Sequence, residues 1–314
     1  MRVVFMGYQT WGRVTLEAVL RAGHEVPLVV THPPSGHEYE TIWADSVRGL
    51  AESRGIPVIE CRRACPVQVG GAVRDARADV ILSSDWRSWL DPRIYDLAPH
   101  GALNIHDAPL PRYAGFAPIN WAILNGETET AVTVHWMNEH FDLGDILIQE
   151  RVPIGPDDTA TDVFHRTLPL FDTLAVRALE LLEAGDPPRA AQDPAQATFF
   201  HKRCERDSLI DWREPRARVR NLVRAQSDPY PNAFTFHQGK KVRIKRASLA
   251  AAPFRGSPGR VFARGPEGVV VLAGACAEDP GQGLLLEVVQ PEGGEELHAS
   301  DYFTRAGDYL GVHP

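Results

Sequence analysis

RVVFMGYQTWGRVTLEAVLRAGHEVPLVVTH, residues 2–32, is the stretch whose reading decides the fold. After Arg2, Val3 to Met6 form an apolar run that stops at Gly7, the pattern of a strand buried on both faces. Val14 to Ala22 then carries apolar residues at helical spacing, and EVPLVVTH (25–32) returns to a strand-like run. The alternation continues outward. Ile42 to Arg54 reads as a helix, IPVIE (56–60) as a third strand, ADVILSS (78–84) as a fourth and GALNIH (101–106) as a fifth. Strands separated by helices of this length predict an α/β fold, a Rossmann-like and mostly parallel sheet with helices on both faces. Ligands in such sheets bind beyond the carboxyl ends of the strands.

Farther along, AVTVHWM (131–137) and DILIQERVPI (145–154) read as an antiparallel pair enclosing the loop NEHFDLG. Thr159 and Asp162 have capping-box spacing and open a long helix to about Ala184, interrupted near Pro169. EAGDPPRAAQDPAQAT (183–198), rich in Pro, Ala and polar residues, reads as a linker. Beyond it come a helix over Arg216 to Ala225 and closely spaced β-like segments punctuated by Gly and Pro. These predict a smaller OB-like β-barrel. The expected domains are residues 1–186 for the sheet, 187–205 for the linker and 206–314 for the barrel.

The bulk numbers narrow the function. A chain of 314 residues fits two domains at roughly 150 residues each. With 44% hydrophobic and 24% charged residues, and no apolar stretch of about 18 residues, the composition is that of a globular protein with no membrane span. MRVVFMG lacks the apolar core and cleavage site of a secretory signal, so a cytoplasmic location is expected. Cys61 and Cys65 form a C-x-x-x-C with no second pair or neighbouring His, so neither zinc nor any other metal is expected. The net charge of −8 opposes nonspecific attraction to a phosphate backbone.

The chemistry concentrates in LNIHDAPLPRYAGFAPINWAI, residues 103–123. Because side chains alternate along a strand, Asn104 and His106 share a face, about 7 Å apart. An amide N–H and an imidazole N–H are the kind of preorganised donors that stabilise an oxyanion in acyl transfer. A carboxylate nearby can hold the imidazole and take a proton from the nucleophile, and the loop between the antiparallel strands supplies Asp142. His135 and His140 flank the same loop, but their spacing suits a metal poorly and both read as structural.

NIH, PLPRYAG and FDLGDI, in that order, resemble the signature of the 10-formyltetrahydrofolate-dependent formyltransferases, an N-x-H at a strand end, a proline loop with a following glycine, and an Asp in a D-x-G context. FFHKRCERDSLIDW and LVRAQSDPYPNAFTF are similar to the opening of that family's second domain, so the resemblance spans nearly the whole chain. It implies 10-formyltetrahydrofolate as cosubstrate, with no metal, and Asn104, His106 and Asp142 as the catalytic trio. It also implies that the folate lies against the loop after the fourth strand and the Asp loop. The residues there are Ser84, Asp85, Trp86, Arg87 and Leu90, with Phe141, Leu143, Gly144 and Asp145.

The formyl acceptor is read from the loops. The tRNA-acting members of the family carry a basic insertion after the second strand. Here THPPSGHEYETIWADS (31–46) has no Lys or Arg and carries Glu38, Glu40 and Asp45. GKKVRIKR (239–246) puts Lys241, Arg243 and Lys245 on one face, which reads as a solvated strand face. The expectation is therefore a small-molecule amine substrate, with tRNA disfavoured. FMGYQTWGRVTLEAVL, THP and E-x-x-W-x-x-S-V resemble the formyltransferases of hydroxamate-siderophore biosynthesis, which act on the side-chain nitrogen of N5-hydroxyornithine. In that reading Tyr8, Gln9, Trp11, Trp43, Arg87 and Asp85 or Asp107 bind the acceptor. A sugar-nucleotide amine, methionyl-tRNA, and hydrolysis of the folate to release formate are the alternatives.

Overall fold

The computed structural model describes residues 1–311. The chain enters with β1 (Arg2–Gly7), α1 (Gln9–Arg21), β2 (Glu25–Thr31), α2 (Val47–Ser53), β3 (Val58–Glu60), α3 (Gly70–Ala76), β4 (Val80–Ser84), α4 (Pro92–Tyr95) and β5 (Ala102–His106). After a loop carrying β6 (Ala114–Gly115) and α5 (Pro118–Leu124) come β7 (Glu129–Trp136), β8 (Ile146–Pro153), α6 (Ala160–Ala184) and β9 (Phe199–Phe200). The large sheet runs β3-β2-β1-β4-β5-β7-β8, its first five strands parallel and β7 and β8 antiparallel. This is the expected Rossmann-like α/β architecture.

Alternation along the strands produces two cores. Val3, Phe5, Leu82, Leu103, Ile105 and Val134 face one way, against α1, α2 and α6. Val4, Met6, Ile81 and Ala102 face the other, against α3 and α4. Burying each large aliphatic side chain contributes about 1.5–3 kcal/mol. The turn from β1 into α1 requires small residues, because a Cβ on Gly7 would lie 2.4 Å from the Phe5 ring and one on Gly12 would lie 2.9 Å from the Gly7 carbonyl carbon.

Three local expectations are revised. The helix expected from Ile42 begins only at Val47, where Ser46 caps it by accepting from the Gly49 N–H. The break expected at Pro169 is absent, and α6 runs unbroken for 25 residues. Proline removes one backbone hydrogen bond, and the buried Phe171, Leu174, Ala175 and Ala178 that follow hold the helix to the core. Part of the stretch expected as linker is held against the sheet unit. Ala190 exchanges backbone hydrogen bonds with Ile146, and β9 pairs with β6.

A second compact unit comprises Ile119–Thr128, Ile154–Asp162 and the chain from Arg203 on. It holds α7 (Arg216–Ala225), β10 (Ala233–His237), β11 (Lys240–Leu249), β12 (Val261–Gly265), β13 (Gly268–Leu272), β14 (Gly283–Pro291), β15 (Leu297–His298) and α8 (Ala299–Tyr302). The antiparallel order is β10-β11-β14-β13-β12, with β15 on β14. Leu310 bridges to His237 and Tyr309 to Arg260, so the chain end joins the two edges of this sheet into a small barrel. The basic face of β11 is not bare. Lys241 pairs with Glu205, and Lys245 with Asp228 and Glu296. No helix among the described residues is long and apolar enough to cross a membrane.

Candidate active site

Asn104 and His106 lie on one face of β5, while Leu103 and Ile105 are buried in the opposite core. In register with Asn104 stand Ser83 on parallel β4 and His135 on antiparallel β7. A row of polar side chains thus crosses the sheet near its carboxyl edge, where unpaired strand ends open a crevice. Thr133, opposite His106, donates its hydroxyl to the Ala108 carbonyl at 2.6 Å, and Gln149 donates to Leu110 at 3.0 Å. These bonds tie the proline loop to the sheet.

His106 is 9% exposed, and its Nε2 lies 3.1 Å from the Tyr113 carbonyl oxygen. A carbonyl only accepts, so Nε2 carries the proton and Nδ1 is the nitrogen left for chemistry. Tyr113 adopts φ 62° and is held by its N–H on Thr198 Oγ1 and by stacking on Phe200, centroids 4.9 Å apart. Gly115 follows at φ 98°, where a Cβ would meet the Phe200 carbonyl oxygen at 2.4 Å. Its N–H donates to Asp142 Oδ2 at 2.9 Å. The glycine after the proline loop therefore aims the carboxylate of a residue 27 positions away.

Asp142 sits at φ 55°, with Oδ1 3.7 Å from His135 Nε2. The carboxylate expected to hold His106 makes no hydrogen bond or ion pair with that ring among the described residues. Among the described residues it is held by the Gly115 N–H and faces His135 instead. His135 Nε2 lies 3.3 Å from Asn104 Nδ2 and its Nδ1 lies 2.9 Å from the Trp136 carbonyl. Burial pushes the His135 imidazole below its ordinary pKa, against an upward pull from Asp142. The Asp142 and Gly144 carbonyls both accept from Gln192 Nε2, at 2.9 and 2.7 Å. Gly144 has no room for a side chain, since a Cβ would overlap the Trp136 carbonyl oxygen at 1.8 Å.

Part of this set borders a cleft. Asn104, His135 and Asp142 form one side, Trp86, Trp89 and Leu90 another, and Phe141 with Met137 closes it. Trp89 is 51% and Phe141 38% exposed, so two large aromatic side chains stand open to solvent at one cleft. The Trp86 Nε1 and Ser88 Oγ atoms are buried without a hydrogen-bond partner among the described residues. Polar atoms left unpaired beside an apolar cleft fit a ligand that is flat, aromatic and rich in polar edges. No cluster of three or more His, Cys, Asp or Glu side chains that could hold a metal occurs among the described residues.

The remaining expected site residues divide. Trp86, Leu90 and Phe141 line the cleft, while Leu143, Gly144 and Asp145 continue the Asp142 loop. Asp145 also gives its carbonyl to the Trp136 N–H and its carboxylate approaches Arg189 at 3.8 Å. Ser84 points to the other face, accepting from the Thr15 hydroxyl at 3.0 Å. Trp11 and Trp43 pack on Phe164, at 5.0 and 3.9 Å between centroids. Asp107 follows His106, and burial raises its carboxyl above the ordinary range.

Arg87 anchors a separate cluster. Its guanidinium bonds Asp85 and Glu40 and donates to Gln9 Oε1, and Tyr8 lies under it at 5.0 Å. Glu40 also pairs with Lys202. Burial would raise the Glu40 carboxyl, but hydrogen bonds from Lys202 and Ser35 and the Arg87 charge bring it down to about 2. Burial outweighs Arg87 at Asp85, which is pushed up to about 6. His32 Nε2 accepts from the Arg87 backbone N–H at 3.1 Å and stacks on Trp86 at 4.0 Å, and burial lowers its pKa to about 4. Arg87, expected to bind folate or acceptor, has its charge taken up by protein carboxylates.

Sequence reasoning takes His135 for a structural residue and does not single out Gln192 or Trp89. Only the register of β5 with β7 puts His135 beside Asn104. Gln192 lay in a stretch with the composition of a linker.

The family model for formyl transferase matches residues 1–179, and the model for the formyl transferase C-terminal domain matches residues 204–307. The chain is 35% identical over 304 residues to the methionyl-tRNA formyltransferase of Geotalea uraniireducens (strain Rf4), covering 96% of this chain and 94% of that protein. It is also 35% identical to the enzyme of that name from Moorella thermoacetica, covering 96% and 95%. The fold matches an N-formyltransferase from Helicobacter canadensis, solved with folinic acid and dTDP-3-aminofucose, at TM-score 0.69 and 19% identity over 91% of this chain and 98% of that one. The expectation that tRNA is disfavoured as a partner is overturned, because relatives this similar over nearly the whole chain are named for a tRNA substrate. An acidic loop and a negative net charge were the grounds for that expectation, and local charge decides less than the whole-chain likeness. Matched by both family models and about one-third identical to curated members across its length, the chain belongs to the formyl transferase family of enzymes.

Proposed function

We propose that the protein transfers the formyl group of 10-formyltetrahydrofolate to the α-amino group of a methionyl-tRNA. The observation that carries the acceptor is the 35% identity over 96% of the chain to methionyl-tRNA formyltransferases. The donor is supported by the aromatic cleft beside Asn104, with its unpaired Trp86 and Ser88 atoms. Trp89 and Phe141 hold the flat ring system, and main chain of the Asp142 loop meets its polar edge.

In this mechanism the acceptor nitrogen attacks the formyl carbon and the carbonyl oxygen gains negative charge. Asn104 Nδ2–H and His106 Nδ1 face that oxygen. Since Nε2–H of His106 is given to Tyr113, donation through Nδ1 requires the doubly protonated ring. Asp142 accepts the proton that the nitrogen loses, and when the carbonyl re-forms the bond between the formyl carbon and N10 breaks, N10 taking up that proton and leaving as tetrahydrofolate. An α-amino group has a pKa of about 7.7–8.0 and is substantially unprotonated near neutrality, unlike a lysine-type amine at about 10.4.

A second reading, the side-chain hydroxylamine of N5-hydroxyornithine, is favoured by one observation. The segment 31–46 carries no Lys or Arg, and Glu40 within it is held ionised. A hydroxylamine nitrogen is weakly basic and needs no deprotonation. Incubating the protein with 10-formyltetrahydrofolate and each acceptor, and following tetrahydrofolate release, separates the two. The proposal expects turnover with methionyl-tRNA. Turnover with hydroxyornithine alone overturns it in favour of the second reading, and formate release without acceptor would show a hydrolase.

A further inference from the structure

We propose that His135 is a positioning residue that sets which way the Asn104 amide faces, and so whether the site presents a donor or an acceptor to the developing oxyanion. The inference rests on the reading of Asn104 as an oxyanion donor and adds to it a residue outside the expected trio.

An amide side chain has two nearly isosteric ends, one donating and one accepting. Turned one way Asn104 stabilises negative charge on the formyl oxygen, and turned the other way it repels it. His135 decides between them. Its ring is 2% exposed and stands directly across from Asn104 in the β5–β7 register. Nδ1 lies 2.9 Å from the Trp136 carbonyl, an acceptor only, so Nδ1 carries the hydrogen. A neutral ring then has a bare Nε2, which can only accept. That atom lies 3.3 Å from Asn104 Nδ2. Only the NH₂ end of the amide satisfies it, and the second Nδ2–H remains for the substrate.

The surroundings keep the ring neutral. Burial disfavours the imidazolium, and the nearby His106 opposes it as well. Asp142, with Oδ1 3.7 Å from Nε2, and the Trp136 carbonyl pull the other way, but burial outweighs both. Protonating His135 would convert Nε2 into a donor and invite the amide oxygen to turn towards it.

A double-mutant cycle tests this, using turnover of 10-formyltetrahydrofolate at saturating acceptor with circular dichroism as a check of folding. His135→Leu, which cannot accept, is expected to lower kcat about 10-fold or more with little change in KM, the scale of a misoriented catalytic group. His135→Gln, whose amide oxygen can accept from Asn104, should recover most of that loss and covers the case in which the leucine variant does not fold. In an Asn104→Ala background either substitution should cost almost nothing further, because the group it orients is gone. An equal cost in both backgrounds, or wild-type kcat in His135→Leu, overturns the inference. Full activity of Asn104→Ala alone would instead remove the reading beneath it, and the two failures are therefore distinguishable.

Discussion

Asn104, His106 and Asp142 are held by other residues' backbones more than by one another. His106 leans on the Tyr113 carbonyl, Asp142 on the Gly115 N–H, and Asn104 on a histidine whose tautomer is set by its own neighbour's carbonyl. Gly144→Ala should therefore be damaging despite its small size. A methyl group overlapping the Trp136 carbonyl must displace the Asp142 loop. Loss of at least tenfold in kcat, with a lowered Tm, is expected in a thermal melt and turnover assay. His32 offers a pH prediction at the same scale. Its pKa falls from an ordinary 6.5 to about 4, so between those values the unfolded chain binds more protons than the folded one. Stability is then complete above about pH 6.5 and declines as pH falls towards 4, by about 2–3 kcal/mol for this group. His32→Gln can keep both hydrogen bonds without titrating. Its Tm should fall less than that of the wild type over the same window, measured by calorimetry, and a parallel fall in both proteins would contradict the assignment.

At the scale of elements, the strands and helices of the sheet were legible because their apolar runs match the spacing of buried strands and helix faces. Asn104 and His106 were legible for the same reason, since two residues apart on a strand means one face. What lay beyond reach was pairing between elements. His135 looks like an ordinary core histidine until β7 is placed in register with β5, and the Asp142 carboxylate aims at it rather than at His106. The segment around Gln192 shows the same limit. Its Pro-rich and Ala-rich composition is that of a spacer, yet Ala190 bonds to Ile146 and Gln192 bonds two carbonyls of the Asp142 loop. Gln192→Ala removes both side-chain bonds while leaving the backbone bridge. It should lower kcat about tenfold and cost about 1–3 kcal/mol of stability, the net worth of two partly buried hydrogen bonds. Unchanged kcat would show that the backbone bridge alone suffices.

At the scale of the whole molecule, both halves of the chain match formyl transferase models, and likeness to methionyl-tRNA formyltransferases overturns the argument from charge against tRNA. A net charge of −8 and an acidic segment after β2 argued against a nucleic acid. Charge patterning reports attraction to phosphate in general, and a single specific aminoacyl end can be gripped without a broadly basic surface. On β11, Lys241 is paired with Glu205, and Lys245 with Asp228 and Glu296. The central claim is that the polar row at the carboxyl edge of the sheet performs the transfer, whichever acceptor it serves. The measurement that tests it most directly is the rate of tetrahydrofolate release from 10-formyltetrahydrofolate at saturating acceptor by Asn104→Ala, His106→Ala and Asp142→Asn, each confirmed to fold. The account predicts a fall of about 100-fold or more in each, the scale of lost oxyanion donors and acid–base groups. Wild-type rates in all three variants would contradict it.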